Sequence, residues 1–338
     1  MISENGWESR IGRRLRLRDL HFLIAVVRAG SMVKAATHLG VSQPVVSEAI
    51  ADLENTVGVR LLDRGPRGVE PTLYGRALLR RSQIAFDELR QGIRDIEYLA
   101  DPTTGEVRIG CPETLAAGVL SPIIDELSRR SPRVRFQVAL VNTLNPRLEF
   151  PELRERKLDL VLARVVETFG ESEYAEDLHV ENLFDDHLLV VAGVTSPWAN
   201  RRKINLAELA DASWILPANS WNWLRVGEAF AAIGENMPKL TVDTFSVALR
   251  QQLLATGRFV AAIPASTLRS NIQQGLLKVL PVALPNKPWP VAMITLKNRT
   301  QSPAVQQFIE LARTCSCAAA QEQVILTASQ NRKKVKRV

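Results

Sequence analysis

One stretch constrains the fold more than any other: Gly30 to Glu54, GSMVKAATHLGVSQPVVSEAIADLE. It reads as two short helices joined by a tight turn. The first spans about Ser31 to Leu39, with the small residues Ala35 and Ala36 inside it. Gly40 follows, where a chain leaving a helix takes a positive φ that costs glycine least. Ser42 then stands at an N-cap position, able to accept from the free amides of the next turn. Pro44 is tolerated in that first turn because its missing N–H would go unpaired there anyway. The second helix spans about Gln43 to Glu54. Val46, Ile50 and Leu53 recur at i, i+4 and i+7 and give it one apolar stripe. Its other side carries Gln43, Pro44, Val45, Ser47, Glu48, Ala51 and Asp52. A small residue at the crossing, a left-handed turn and an apolar anchor make a helix-turn-helix, whose second helix can enter a DNA major groove. Taken alone, the pattern also suits an ordinary helical hairpin in a core.

The flanks decide between these readings. From Leu15 to Gly75 the residues resemble the LysR-type transcriptional regulators. The marks are Phe22, Gly30-Ser31, Ala35-Ala36, Leu39, the SQPVVS run, Leu53-Glu54, Gly58, Leu61-Leu62, Arg64, Thr72 and Gly75. Leu62 departs from the usual Phe but keeps an apolar anchor. The rest of the chain agrees more loosely, through about Arg313. The resemblance implies an α/β protein overall: a winged helix-turn-helix, a long linker helix, and two α/β subdomains like those of type II periplasmic solute-binding proteins. On that plan residues 1–15 are a flexible basic lead, 16–74 bind DNA, and 75–100 form the linker and dimerisation helix. Residues 105–313 bind an effector and 314–338 form a mobile basic tail. Subdomain I takes about 105–165 and 270–313, subdomain II about 166–269.

Charge agrees with this plan. The 338 residues carry a net charge of +7, unevenly spread. Arg10 to Arg81 holds 13 basic and 6 acidic residues, and Arg332 to Val338 holds five basic and none acidic. The remainder is mildly acidic, which suits a nucleic-acid-binding end beside a separate sensing body. No apolar run approaches the roughly 18 residues of a membrane span. The N-terminal stretch has basic residues without an apolar region, so no secretory signal and a cytoplasmic protein are expected. The three cysteines, Cys111, Cys315 and Cys317, are then expected to be free.

Along the chain, Leu20, Leu23, Ile24 and Val27 predict a first amphipathic helix. After Glu54, Val59 to Leu62 and Gly68 to Glu70 predict the two sides of a wing, with Arg64 and Arg67 at its turn placed to meet phosphate. Thr72 caps a long helix from Leu73 to Leu99. Leu78, Ser82, Ala85, Leu89, Gly92, Ile96 and Leu99 form an imperfect heptad seam on it, suited to a second subunit. Beyond a hinge at Asp101 to Gly105, alternating strands and helices imply a mostly parallel sheet. Strands are expected at Val107 to Cys111, Val134 to Leu140 and Leu158 to Ala163. A second unit follows with strands near Leu188, Ser213, Leu240 and Phe259. Leu277 to Val282 and Val291 to Leu296 are expected to return to the first.

On the DNA-reading face, Gln43 can pair with adenine, and Ser42 and Ser47 with base or phosphate. Val45 can meet a thymine methyl, and Glu48 can accept from a cytosine amino group. The resemblance adds Ser31 and Pro44 to this face. For the effector, four strand-to-helix junctions offer free amides that favour an anion. They are Cys111 to Thr114, Asn142 to Leu144, Asn219 to Trp221, and Thr244 to Ser246. They supply Thr114, Thr143, Ser220, Trp221, Phe245 and Ser246, and Arg164 at the end of LDLVLAR can pair with a carboxylate. Helix capping explains each hydroxyl singly; their convergence on one crevice comes from the resemblance.

No phosphate loop, nucleotide fingerprint or GxSxG is present, so no cofactor is expected. Cys315-Ser316-Cys317 lacks the further ligands of a zinc site. Cys111 at a helix N-terminus could have a lowered pKa, and Asp185-Asp186-His187 reads as surface pairing. The expected function is a DNA-binding regulator of LysR type sensing a small, anionic effector. Its expected partners are double-stranded DNA, a second or further copies as homodimer or homotetramer, and RNA polymerase as a candidate, with no membrane. The competing reading is a small-molecule-binding protein whose N-terminal domain contacts other proteins; an enzyme using Cys111 is a remoter third.

Overall fold

The computed structural model describes residues 14–65, 68–101, 103–141, 150–165, 175–268, 275–282, 284 and 287–316. The chain forms two compact units, Met1–Ile93 and Arg94–Val338.

In the first unit, α1 (Leu17–Ala29), α2 (Met32–Leu39) and α3 (Gln43–Val57) precede an antiparallel ribbon, β1 (Leu62–Gly65) and β2 (Gly68–Pro71). The apolar spacing read from the sequence is what the core uses. Leu20, Leu23 and Val26 of α1 meet Ala35 and Ala36 of α2 and Val46, Ile50 and Leu53 of α3. Fully burying a Val, Leu or Ile side chain contributes about 1.5–3 kcal/mol. The chain leaves α2 through Gly40 at φ +67°. The wing starts at Leu62 because Glu54 reaches it from α3: one carboxylate oxygen accepts from the amides of Leu61 at 2.7 Å and Leu62 at 3.1 Å. The Val69 amide donates to the Gly30 carbonyl at 3.0 Å, tying the ribbon to the α1–α2 turn.

Helix α4 (Leu73–Ala100) runs past the boundary between the units. Thr72 caps it by accepting from the Gly75 amide at 3.0 Å. Leu89, Ile93, Ile96 and Leu99 are exposed on α4. The open apolar stripe therefore runs through Ile93 rather than Gly92, and Ser82, expected on the seam, is buried.

Among the described residues, the second unit holds two five-stranded sheets. The strands are β3 (Thr104–Cys111), β4 (Arg133–Leu140), β5 (Leu160–Arg164), β6 (Leu178–Asp186), β7 (Leu188–Gly193), β8 (Ser213–Ile215), β9 (Leu240–Val242), β10 (Phe259–Pro264), β11 (Leu277–Val279) and β12 (Trp289–Leu296). Lobe I has the order β4-β3-β5-β12-β6 and lobe II the order β11-β7-β10-β8-β9. Helix α5 (Ser121–Arg130) and a helix over residues 303–316 accompany lobe I; α6 (Trp221–Ala231) and α7 (Val247–Ala255) accompany lobe II. Central strands are buried on both faces. Leu160 and Leu162 enter one apolar cluster, Val161 and Ala163 the other, which is why such strands read as unbroken apolar runs.

Three expectations need correcting. The sheets are mixed rather than mostly parallel: β12 runs antiparallel to β5 and β6, and β7 antiparallel to β10 and β11. Leu277–Val279 pairs with β7 in lobe II instead of returning to lobe I. Strand β6, unforeseen, belongs to lobe I, so the chain crosses between lobes at His187 and again between β11 and β12. Subdomain I therefore keeps 175–186 and takes its returning segment from 289, while lobe II extends to about Val282.

Candidate DNA-reading face and effector crevice

Helix α3 buries Val46, Ala49, Ile50 and Leu53 and turns Ser42, Gln43, Pro44, Val45 and Glu48 outward; Ser47 is half-buried. The N-terminal turn of α3 thus presents a donor–acceptor amide, a hydroxyl and a small apolar side chain together. Ser42 sits at the N-cap but makes no capping hydrogen bond, leaving its hydroxyl available outward. Ser31 caps α2 instead, accepting from the Lys34 amide at 3.5 Å. Arg64 is exposed on β1. Arg67 and Thr143 lie outside the described residues.

In the second unit, two of the side chains singled out at the strand ends, Thr114 and Arg164, meet beside a point where the chain crosses between the lobes. Asp186 ends β6 and pairs in register with Trp289 at the start of β12, so it stands at a crossing point. It is 4% exposed, which corrects the reading of Asp185-Asp186-His187 as surface pairing. Arg164 donates to the Asp186 carboxylate from Nε at 3.2 Å and Nη2 at 2.7 Å, and to Thr114 Oγ1 at 2.9 Å. The carboxylate Arg164 pairs with is therefore the protein's own. Asp186 also accepts from the Ser266 amide at 3.1 Å and hydroxyl at 2.6 Å in lobe II. One buried carboxylate pins both lobes.

Ser220 and Ser246 cap α6 and α7, accepting from the amides of Trp223 and Leu249 at 3.2 Å each. Trp221 packs edge-to-face on Trp289, with ring centroids 5.1 Å apart. Phe245 is exposed beside the α7 N-terminus.

Sequence reasoning missed two charged residues here. Glu113, in the first turn after β3, reaches lobe II: its Oε1 accepts from the Val247 amide, the first of α7, at 3.2 Å. Arg250, one turn into α7, is 2% exposed, and its Nε and Nη2 have no hydrogen-bond partner among the described residues. Burial pushes the Arg250 guanidinium down to about 10, with Glu113 opposing that shift and Arg164 adding to it. The group stays cationic at neutral pH. An arginine in a helix reads as a solvated residue, so nothing local marked it.

Cys111 does not behave as an activated thiol. It is fully buried, and desolvation pushes it up to about 11. Burial outweighs the adjacent helical turn, because an apolar setting disfavours the thiolate. Among the described residues there is no group of three or more His, Cys, Asp or Glu placed to hold a metal, and no helix long and apolar enough to cross a membrane.

A winged helix-turn-helix joined through a long helix to a two-lobed α/β body is the architecture of a DNA-binding regulator with its own sensor. The chain belongs to the LysR family: residues 17–76 match the bacterial regulatory helix-turn-helix protein, lysR family, and residues 100–315 match the LysR substrate binding domain. It is 30% identical over 288 residues to the HTH-type transcriptional regulator GalR of Pseudomonas putida, covering 85% of this chain and 70% of that one. It is 28% identical over 309 residues to the HTH-type transcriptional regulator GbpR of Azospirillum brasilense, covering 90% of this chain and 87% of the relative. Among solved structures it shares its fold with a full-length OxyR variant from Pseudomonas aeruginosa. The TM-score is 0.60 at 21% identity, over 89% of this chain and 98% of that one. CbnR, a LysR family transcriptional regulator, gives a TM-score of 0.55 at 20% identity, over 89% and 99% of the two chains. This chain is thus a DNA-binding transcriptional regulator of LysR type.

Proposed function

We propose that the protein binds an interrupted palindrome near a promoter it controls, as a dimer of its N-terminal domains, and that a small organic anion sets its activity. The observation that carries the DNA reading is the α3 surface: Ser42, Gln43, Pro44 and Val45 exposed at its N-terminal turn, opposite a fully buried apolar face. Gln43 pairs with adenine and Val45 meets a thymine methyl; Arg64 of the wing contacts phosphate and fixes orientation. The exposed stripe Leu89, Ile93, Ile96 and Leu99 on α4 supports self-association, since apolar side chains at such spacing seek a partner helix.

The anion reading is supported by a buried cation, Arg250, and by the helix N-terminus at Val247, both favouring negative charge. The effector acts by binding one arrangement of the lobes better than another, a population shift that alters how the DNA-binding domains are held. Fluorescence anisotropy with DNA from upstream of the gene tests the first half. Affinity should fall with salt at a log–log slope of roughly −0.9 per phosphate neutralised, and Arg64→Ala should make that slope shallower. Absence of salt-sensitive binding by the folded protein would favour the protein-interaction reading of the N-terminal domain.

A further inference from the structure

Arg250 has an unfilled edge. Nε and Nη2 lie side by side on one edge of a guanidinium, the pair that takes the two oxygens of a carboxylate. Both lack a partner among the described residues, in a residue only 2% exposed. A buried cation left this way is costly unless something completes it. The residue lies one turn into α7, whose first amide already holds a carboxylate oxygen, that of Glu113. Glu113 comes from lobe I and α7 from lobe II. The protein therefore supplies a carboxylate of its own to this place, but by one hydrogen bond to a backbone amide, with the arginine edge still open.

Resting on the reading above of an anion-sensing crevice, we propose that the Nε–Nη2 edge of Arg250 receives a carboxylate group of a small organic acid, and that Glu113 is a built-in competitor that the ligand displaces. The ligand's carboxylate completes the arginine fork and gains the positive end of α7. Glu113 releases the Val247 amide, and one tie between the lobes is exchanged for a ligand. Recognition and the change in lobe contact are then one event.

The test uses the full chain, without DNA, and acetate as the smallest carboxylate. Thermal unfolding is followed in increasing sodium acetate against sodium chloride of equal ionic strength. Acetate should raise the midpoint saturably over chloride in the wild type. Arg250→Met, which removes the charge and relieves its burial, should abolish the acetate response. Arg250→Lys, a charge without a fork, should restore it only partly. Glu113→Gln should lower the half-saturating acetate concentration by roughly tenfold, the weight of one charge-assisted hydrogen bond in competition. The proposal is overturned if acetate and chloride act alike on both wild type and Glu113→Gln, or if Arg250→Met responds like the wild type. It is overturned for carboxylates if inorganic phosphate saturates the response and acetate does not. None of these outcomes touches DNA binding, so the regulator reading stands or falls separately.

Discussion

Replacing Asp186 by Ala should destabilise the second unit more than any exposed acidic substitution. The side chain accepts two hydrogen bonds from Arg164 in lobe I and two from Ser266 in lobe II. Arg164 is itself only 11% exposed in its side chain. Removing the carboxylate leaves a buried guanidinium without its counter-charge, a loss of about 3–5 kcal/mol for a broken buried pair. In a domain of this size each kcal/mol moves the midpoint by roughly 2–4 °C, so a drop on the order of 10 °C is expected. Asp186→Asn keeps an acceptor oxygen and should fall between wild type and Ala. The assay is tryptophan fluorescence during thermal unfolding. Of the six tryptophans in the chain, Trp198, Trp214, Trp221, Trp223 and Trp289 lie in the second unit, so the signal reports that unit. Asp177→Ala is the control: its pair with Arg154 is at the surface, the aspartate half exposed, and should be worth under about 1 kcal/mol. If Asp186→Ala costs no more than Asp177→Ala, the pin between the lobes carries no load and the reasoning fails.

Two glycines of the first unit should separate by cause. A Cβ at Gly40 meets nothing within 4 Å but sits at φ +67°, so Gly40→Ala should cost on the order of 1 kcal/mol, the left-handed penalty alone. A Cβ at Gly75 would lie 2.0 Å from the Leu61 carbonyl oxygen, so Gly75→Ala must move backbone and should be clearly the more destabilising, by helical circular dichroism on heating. At the acid end, the hydrogen bond from Arg313 holds the Glu181 carboxyl below its ordinary 4.5. That stabilisation is present above pH 4.5 and is lost as pH falls through the depressed value. Arg313→Ala should therefore be slightly less stable than wild type near neutral pH and converge with it in acid; a difference that persists unchanged at low pH would contradict this origin.

The helix-turn-helix was legible because its information is local. Val46, Ile50 and Leu53 face one way within three turns, and Gly40 marks the turn between the helices. Strand β6 was not legible. It is the edge strand of its sheet, with one neighbour, and carries Glu181, Asn182, Asp185 and Asp186, so no apolar alternation announced it. The crossing at His187 is hidden with it, and the three-residue strand Leu277–Val279 takes its lobe from pairing with β7, which local sequence does not mark. The candidate effector site was half legible for a related reason. Thr114, Ser220 and Ser246 stand at helix starts that local sequence marks, and the two serines spend their hydroxyls on capping. The charges that converge are far apart in sequence. Arg164 and Asp186 are 22 residues apart, and Glu113 and Val247 are 134 apart; only the tertiary fold brings them together.

DNA reading by α3 is tested most directly by footprinting of the DNA upstream of the gene with the wild type and with Gln43→Ala at low salt. The wild type should protect an interrupted palindrome. Protection should be weakened or lost in Gln43→Ala while the variant unfolds at the wild-type temperature. Equal protection by both proteins would remove Gln43 from the reading face. No protection by the folded wild type, there or on other genomic fragments, would contradict the assignment of α3 as the helix that reads DNA.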